Sequence, residues 1–245
     1  MYDHEVCHIL DDLSKYEQNQ FQMIRKILLF VLIFSFSITA FSQKKEETKK
    51  ATWDVNNPHK DWKYKNFNLK TDEGTWMNLD VSPDGKTIVF DMLGDIYTMP
   101  ISGGKATALR TGLAYEVQPR FSPDGKYISF TSDLEGGNNI WVMTADGKNA
   151  KSITKEKFRL LNNAVWTPDG KSIIARKHYT SQRSVGAGEM WQYSFSGSAG
   201  LQLTERKNDQ QDVNDPSVSP DGKYLYYSEE LGRSGLIDQI SFAVL

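Results

Sequence analysis

Short runs rich in β-branched and aromatic residues recur along the chain after residue 75, and turn-forming residues separate them. Runs of this length and composition are typical of β-strands that bury one face. No long stretch with helical periodicity interrupts them. The pattern therefore predicts an all-β structure, and four of its strands are expected at residues 87–90, 127–130, 172–175 and 224–227.

A Ser/Thr-Pro-Asp-Gly-Lys pentapeptide directly precedes each of these four strands. Proline presets the backbone angle of the second turn position, aspartate suits the third, and glycine adopts the left-handed conformation. We interpret these residues as structural parts of hairpin turns and not as ligands for a substrate or metal. They are Pro83, Asp84, Gly85, Pro123, Asp124, Gly125, Pro168, Asp169, Gly170, Pro220, Asp221 and Gly222.

The pentapeptides begin at residues 82, 122, 167 and 219. Intervals of about 40 to 50 residues match one four-stranded blade of a β-propeller. A third strand and a short fourth strand are expected after each of the first three turns. The spacing predicts a partial β-propeller of about three and a half four-stranded blades, at residues 71–110, 111–155, 156–205 and, incompletely, 206–230.

Residues 44–70 are interpreted as a linker and lead-in strand, and residues 231–245 as a divergent tail. The tail lacks the third-strand pattern of the earlier repeats. One explanation is a truncated or frameshifted gene product. The alternative is a naturally short protein whose tail covers the edge of the last sheet.

The amino-terminal region has the layout of a secretory signal at residues 23–43. Arg25 and Lys26 supply a basic start, an apolar run follows at 27–41, and small and then charged residues come next. The run is shorter than the roughly 20 residues of a membrane-spanning helix. We expect a signal helix and export to the periplasm or medium, with an uncleaved inner-membrane anchor as the alternative. Residues 1–22 are interpreted as a start-site extension.

The sequence offers no catalytic chemistry. A net charge of −2 argues against nucleic-acid binding. Cys7 lies outside the expected mature protein, and His4, His8, His59 and His178 form no metal-binding pattern. No Gly-x-Ser-x-Gly nucleophile motif is present. We therefore expect a protein that is not an enzyme and that needs no cofactor.

The complete repeat, with its Ile-Tyr/Trp-x-Met third strand and Leu/Ile-Thr ending, resembles the TolB-type propeller repeat. Tricorn-like and dipeptidyl-peptidase-like proteases contain similar propellers. Further segments are similar to the amino-terminal propeller of exported bacterial amidohydrolases, at residues 53–55, 72–76, 158–163 and 186–189. That resemblance implies a metal-dependent barrel after the propeller, and no such barrel is present in this sequence.

The loop between the second and third strands of the third repeat is the longest of its kind, at residues 177–188. Such loops lie on one face of a propeller and often carry function. We expect Arg176, His178, Tyr179 and Arg183 to contact a protein partner or a missing carboxy-terminal domain. A solvated polar insertion is the alternative.

An incomplete ring leaves open sheet edges, through which a homodimer is also expected. Four tryptophans at strand positions could form a carbohydrate platform, but packing between blades explains their placement better. They are Trp76, Trp141, Trp166 and Trp191.

Overall fold

The computed structural model describes residues 18, 20–28, 55, 63, 65, 68–158, 160–179, 187–197, 199–208, 211–230 and 239–245. The chain divides into two units, Met1–Thr52 and Trp53–Leu245. In the first unit, residues 20–28 are helical. The rest of the expected signal, residues 29–43, lies outside the described residues. Among the described residues, no helix is both long and apolar enough to cross a membrane.

The second unit consists of four antiparallel sheets that follow one another along the chain, and we call them blades 1 to 4. Within each blade the strands pair in sequence order, so every connection is a hairpin. Blades 1 to 3 have four strands and blade 4 has three. The strands are β1 Leu79–Val81, β2 Thr87–Met92, β3 Asp95–Pro100, β4 Thr107–Arg110, β5 Glu116–Phe121, β6 Tyr127–Ser132, β7 Asn139–Thr144, β8 Lys151–Ser152, β9 Leu161–Trp166, β10 Ser172–Tyr179, β11 Ala187–Ser194, β12 Leu201–Gln202, β13 Asp212–Val218, β14 Tyr224–Glu230 and β15 Gln239–Val244.

Consecutive blades pack face to face through apolar side chains. Val89 of blade 1 and Phe130 of blade 2 share one buried cluster. Ile140 of blade 2 packs with Ile173 of blade 3, and Met190 of blade 3 packs in a cluster with Leu225 of blade 4. The first strands of neighbouring blades also contact one another. This arrangement confirms the predicted partial β-propeller.

The pentapeptide turns have the same hydrogen bonds in all four blades, as blade 1 illustrates. The Ser82 hydroxyl donates to Asp84 Oδ1 at 2.6 Å, and the Lys86 amide donates to the same oxygen at 3.1 Å. The Thr87 amide donates to Ser82 Oγ at 2.9 Å. Gly85 has a φ of 71°, the left-handed conformation that glycine adopts without strain. The aspartate therefore closes the turn internally.

In blades 2 to 4, the pentapeptide turn also contacts the turn of the preceding blade. A Cβ added at Gly125 would lie 3.4 Å from Pro83 Cδ, and one at Gly170 would lie 3.9 Å from Pro123 Cδ. A Cβ at Gly222 would lie 3.8 Å from Pro168 Cδ. The four turns thus form one continuous row on one side of the array, at the same end of every sheet.

The tail differs from the expectation. Residues 239–244 form β15, which pairs with β14 in the position of a third strand, with Tyr226 opposite Phe242 and Glu229 opposite Gln239. The tail lacks the repeat motif, but its alternation of Ile240, Phe242 and Val244 with smaller or polar residues is sufficient for pairing. Residues 231–238 lie outside the described residues.

The packing expectation holds for three of the tryptophans. Trp141 and Trp166 are buried in the clusters between blades, and Trp191 packs against one of them. For Trp76 the expectation is wrong, because this residue precedes β1 and is fully exposed at 100%. Its φ of 56° lies in the left-handed region, and the chain bends at this residue just before β1.

Candidate interaction site

The hairpin of β10 and β11 is the longest in the described part of the chain. Each of its strands has eight residues, whereas the corresponding strands of blades 1 and 2 have six. The additional pairs are His178 with Gly188 and Tyr179 with Ala187. At about 3.4 Å per residue, the hairpin extends roughly 7 Å further than those of blades 1 and 2. It does so on the face opposite the pentapeptide turns, which we call the loop face.

The structure shifts the expected loop. Arg176, His178 and Tyr179 lie on strand β10, and the segment between the two strands is residues 180–186. The strand continues further than predicted because backbone pairing extends through these polar residues. Arg183 lies outside the described residues. Its role in binding therefore stays a prediction.

Arg176 forms a buried ion pair with Asp212 at the start of blade 4. Nη2 donates to both carboxylate oxygens at 2.7 and 2.9 Å, and Nε donates to the Val213 carbonyl at 2.7 Å. The two side chains are only 4% and 7% exposed. The Gly188 amide also donates to Asp212, at 2.6 Å. Arg176 is therefore an internal brace between blades 3 and 4, and its guanidinium is not available to a partner.

His178 adjoins this ion pair, because its Nε2 contacts Nη1 of Arg176. Burial is the main cause that lowers the pKa of His178 below 6.5, and the charge of Arg176 lowers it further. Asp212 acts in the opposite direction, with a smaller effect. The imidazole is consequently neutral near pH 7, and Nε2 accepts a hydrogen bond from the guanidinium.

Further along the strand, Tyr179 lies under the Arg206 guanidinium, 5.3 Å from the ring centroid. Arg206 belongs to the connector between blades 3 and 4, and its amide donates to Glu189 Oε1 at 2.6 Å. The Thr204 hydroxyl donates to the other oxygen of Glu189, also at 2.6 Å. Burial raises the pKa of Glu189. The connector is thus attached to the base of the extended hairpin.

A second ion pair supports the other side of β10. Lys177 Nζ lies 2.5 Å from Glu156 Oε1 and 4.2 Å from the centroid of the Trp191 ring. The lysine side chain is only 10% exposed. Successive residues of β10 are therefore held by Asp212 of blade 4 and by Glu156 of the connector between blades 2 and 3.

The sequence analysis did not single out Asp212 or Gln211, which lie in the polar segment before the fourth turn. Both residues are buried. The missed signal lies in the repeat itself. Asp212-Val213 stands before the fourth turn much as Glu116-Val117 stands before the second, which marks residues 212–218 as a first strand.

The site can recognise polar and aromatic groups. Among the described residues, no three His, Cys, Asp or Glu side chains are grouped so that they could hold a metal ion. The carboxylate of Asp212 is occupied by Arg176 and Gly188. The geometry supports recognition through His178 and Tyr179, the half-buried side chains at the end of β10.

Four consecutive sheets, each built on the same turn and packed face to face on the next, define the chain as a β-propeller repeat protein. The chain belongs to the TolB β-propeller domain family, whose sequence profile matches residues 68–243. The resemblance drawn from the pentapeptide repeat is confirmed.

Several known proteins are similar to part of the chain. The crystal structure of TolB from Acinetobacter baumannii is 27% identical, with a TM-score of 0.53, over 65% of this chain and 39% of that one. An uncharacterized protein of Agrobacterium fabrum is 37% identical over 31% of this chain and 28% of its own length. An uncharacterized peptidase of Bacillus subtilis is 28% identical over 46% of this chain and 22% of its own length. The matched region spans well under two thirds of each of these relatives.

Proposed function

We propose that this protein is a non-catalytic, exported propeller module that binds a protein partner through the loop face of blade 3. The extended β10–β11 hairpin carries the proposal, because it is the feature in which blade 3 departs most from blades 1 and 2. His178, Tyr179 and Arg183 are the proposed contact residues. Arg176 is reassigned as the residue that positions His178.

The base of the hairpin is rigid, which favours binding. Arg176 is held by an ion pair to blade 4, and Lys177 by one to Glu156 in the connector before β9. Residues that are fixed before binding lose less conformational entropy when a partner docks. Tyrosine suits such a surface, since its large ring has few rotatable bonds and a polar end.

Export is proposed from the basic, apolar, small and polar order of residues 23–43. Secretion into the periplasm or medium would place the propeller where other exported proteins could reach its loop face. Fractionation of cells that express the full chain tests this step. Recovery of the protein only from the cytosol would contradict it.

Site-specific photo-crosslinking tests the binding face. A benzoylphenylalanine at Tyr179 is expected to form adducts with one protein in the source cells. The control position is Lys171, the last residue of the pentapeptide turn that directly precedes β10, on the face opposite Tyr179. Equal adducts from both positions, or none from Tyr179, would refute the loop-face proposal. Hydrolase turnover above background by the purified chain, with added zinc or manganese, would refute the non-catalytic part.

A second candidate is that the partner is a domain of the same, longer polypeptide, such as a metal-dependent amidohydrolase or peptidase. The short share of each relative that the chain matches favours it, as does the peptidase name of the Bacillus subtilis protein. An immunoblot of the source cells distinguishes the two. A product far larger than 27.9 kDa supports this candidate, and a product of that size or smaller contradicts it.

A further inference from the structure

The imidazole of His178, near the end of the β10–β11 hairpin, rests against a guanidinium whose other nitrogens are engaged. Nη1 of Arg176 contacts Nε2 of His178. Nη2 of the same guanidinium donates to the Asp212 carboxylate at 2.7 and 2.9 Å, and Nε donates to the Val213 carbonyl at 2.7 Å. An arginine nitrogen can only donate, so this contact requires an Nε2 that carries no proton.

A single carboxylate balances the charges around this imidazole. Among the described residues, the charged groups that act on it are Arg176 on its own strand and Asp212 on β13. β11 presents two uncharged residues opposite the end of β10. Lys177 lies on the other face of β10 in its own ion pair, and Arg206 of the connector lies over the neighbouring tyrosine ring. Protonation of the imidazole would therefore place two cations against one anion.

Of the two cations, only the imidazole has room to move. The Arg176 side chain is 4% exposed, and a Cβ added at Gly188 would overlap its guanidinium, so the space around it is filled. His178 is half-buried at the loop face. The only contact from β9 or the residue before it that the imidazole's own residue makes is between backbones, where the His178 amide donates to the Leu160 carbonyl at 2.8 Å. A protonated imidazole would consequently turn out towards water.

We propose that His178 is a pH switch: its protonation separates the imidazole from Arg176 and releases the end of the hairpin, so that the protein binds its partner less tightly in acid. The released part consists of the pairs His178 with Gly188 and Tyr179 with Ala187, which blades 1 and 2 lack. A released end must be ordered again when a partner docks, and that ordering costs affinity. The effect on binding rests on the proposed function, whereas the release of the hairpin does not.

Proton linkage gives the direction and the size of the effect. In the closed hairpin, burial and then the charge of Arg176 lower the pKa of His178. An imidazole in water has a pKa of about 6.5, so the released form takes up the proton first as the pH falls. The equilibrium constant for release therefore increases by up to about 10-fold for each pH unit below about 6.5, until the closed form is protonated as well. The hairpin end is closed at neutral pH and opens increasingly in acid.

Hydrogen exchange of the full-length chain, followed by mass spectrometry, tests the release. After correction for the intrinsic exchange rate, peptides that cover residues 176–179 or 187–190 should lose protection by about 10-fold or more between about pH 7.5 and about pH 5. The hairpin of blade 2, at residues 129–142, contains no histidine and should keep its protection, which also controls for global unfolding. His178→Gln cannot take up the proton and should keep the protection at both pH values. Unchanged protection of the wild-type hairpin, or an equal loss in His178→Gln, would overturn the switch.

Photo-crosslinking from position 179 at the same two pH values tests the effect on binding. Adducts should decrease in acid when His178 is present and should not decrease in the His178→Gln background, which controls for any pH dependence of the partner itself. Equal adducts at both pH values, from a hairpin whose exchange does respond, would refute the effect on binding. A complete lack of adducts would refute the proposed function instead, and the exchange measurement would still decide whether His178 releases the hairpin.

Discussion

Removal of the Asp212 carboxylate tests the brace between blades 3 and 4. In the Asp212→Ala variant, the Arg176 guanidinium loses both of its hydrogen bonds to the carboxylate, at 2.7 and 2.9 Å. Arginine cannot release its proton to escape the low-dielectric environment. The variant would therefore keep an unpaired charge that is only 4% exposed.

Breaking a buried ion pair on one side costs about 3–5 kcal/mol, and we expect a loss of this size in the free energy of unfolding. The Asp212→Ala variant also removes the acceptor of the Gly188 amide, and the expected loss of stability already includes this effect. The double variant Arg176→Met/Asp212→Leu fills the space with apolar atoms and leaves no charge. It is expected to recover most of the stability, because a well-packed apolar pair often replaces a buried ion pair without loss.

Urea unfolding followed by tryptophan fluorescence measures both effects. With a slope of about 2 kcal/mol per molar urea, the expected loss lowers the midpoint by more than about 1 M. The control is Lys126→Ala, because the Lys126 side chain is 74% exposed and its pair with Asp124, at 3.2 Å, lies at the surface. That variant is expected to change stability by no more than about 0.5 kcal/mol. Equal midpoints for Asp212→Ala and Lys126→Ala would refute the argument that the buried pair braces the two blades.

Three further variants test neighbouring features. Gly188→Ala is expected to cost about 1–3 kcal/mol in urea unfolding, because the added methyl overlaps the Arg176 guanidinium, whereas Gly112→Ala has open space and should be near neutral. The pKa of His178 is lowered by burial, so the unfolded chain binds this proton first as the pH falls below about 6.5. The free energy of unfolding should therefore decrease as the pH falls from about 6.5 through the pKa of His178 in the folded state. The His178→Gln variant should not show this decrease. The pKa of Asp146 is lowered to about 2, mainly by the hydrogen bond from the Thr144 hydroxyl. The ionised carboxylate therefore contributes its full share of the free energy of unfolding above about pH 4, and this contribution disappears as the pH approaches 2. Asp146→Asn should remove this acid-range dependence, as acid titration of circular dichroism would show.

The sequence predicted the turns well because their chemistry is local. Ser82, Asp84 and Gly85 satisfy one another within a few residues. The same spacing therefore produces the same geometry wherever it occurs. A related turn at Thr144 and Asp146 lacks the proline, yet the threonine hydroxyl donates to the carboxylate at 2.5 Å. The hydroxyl and the carboxylate thus define this turn more than the proline does.

The contacts of the candidate site could not be predicted in the same way. Arg176 and Asp212 are 36 residues apart and lie on different blades. Their meeting depends on the register of β13 with β14 and on the packing of blade 4 on blade 3. Neither residue belongs to the repeat motif. Strand β15 was missed for a related reason, because it pairs with β14 through its backbone while its side chains depart from the repeat.

The polar contacts that join each blade to the next differ along the array. Asp91 of blade 1 accepts from the Gln118 amide of blade 2 at 2.6 Å. The Gln118 side chain in turn accepts from the Asn163 amide of blade 3 at 2.8 Å. Arg176 occupies the position of Asp91 in blade 3, and there the contact to the next blade is ionic.

This change to an ion pair occurs in the blade whose hairpin extends furthest. The proposed partner would bind near Tyr179, three residues along β10 from Arg176. The guanidinium of Arg176 joins the base of this hairpin to blade 4 through its hydrogen bonds to Asp212 and Val213. If the brace serves binding, Asp212→Ala should weaken crosslinking from Tyr179 even at temperatures where the variant remains folded. Crosslinking that is unchanged in the folded variant would show that the brace serves only the stability of the blades.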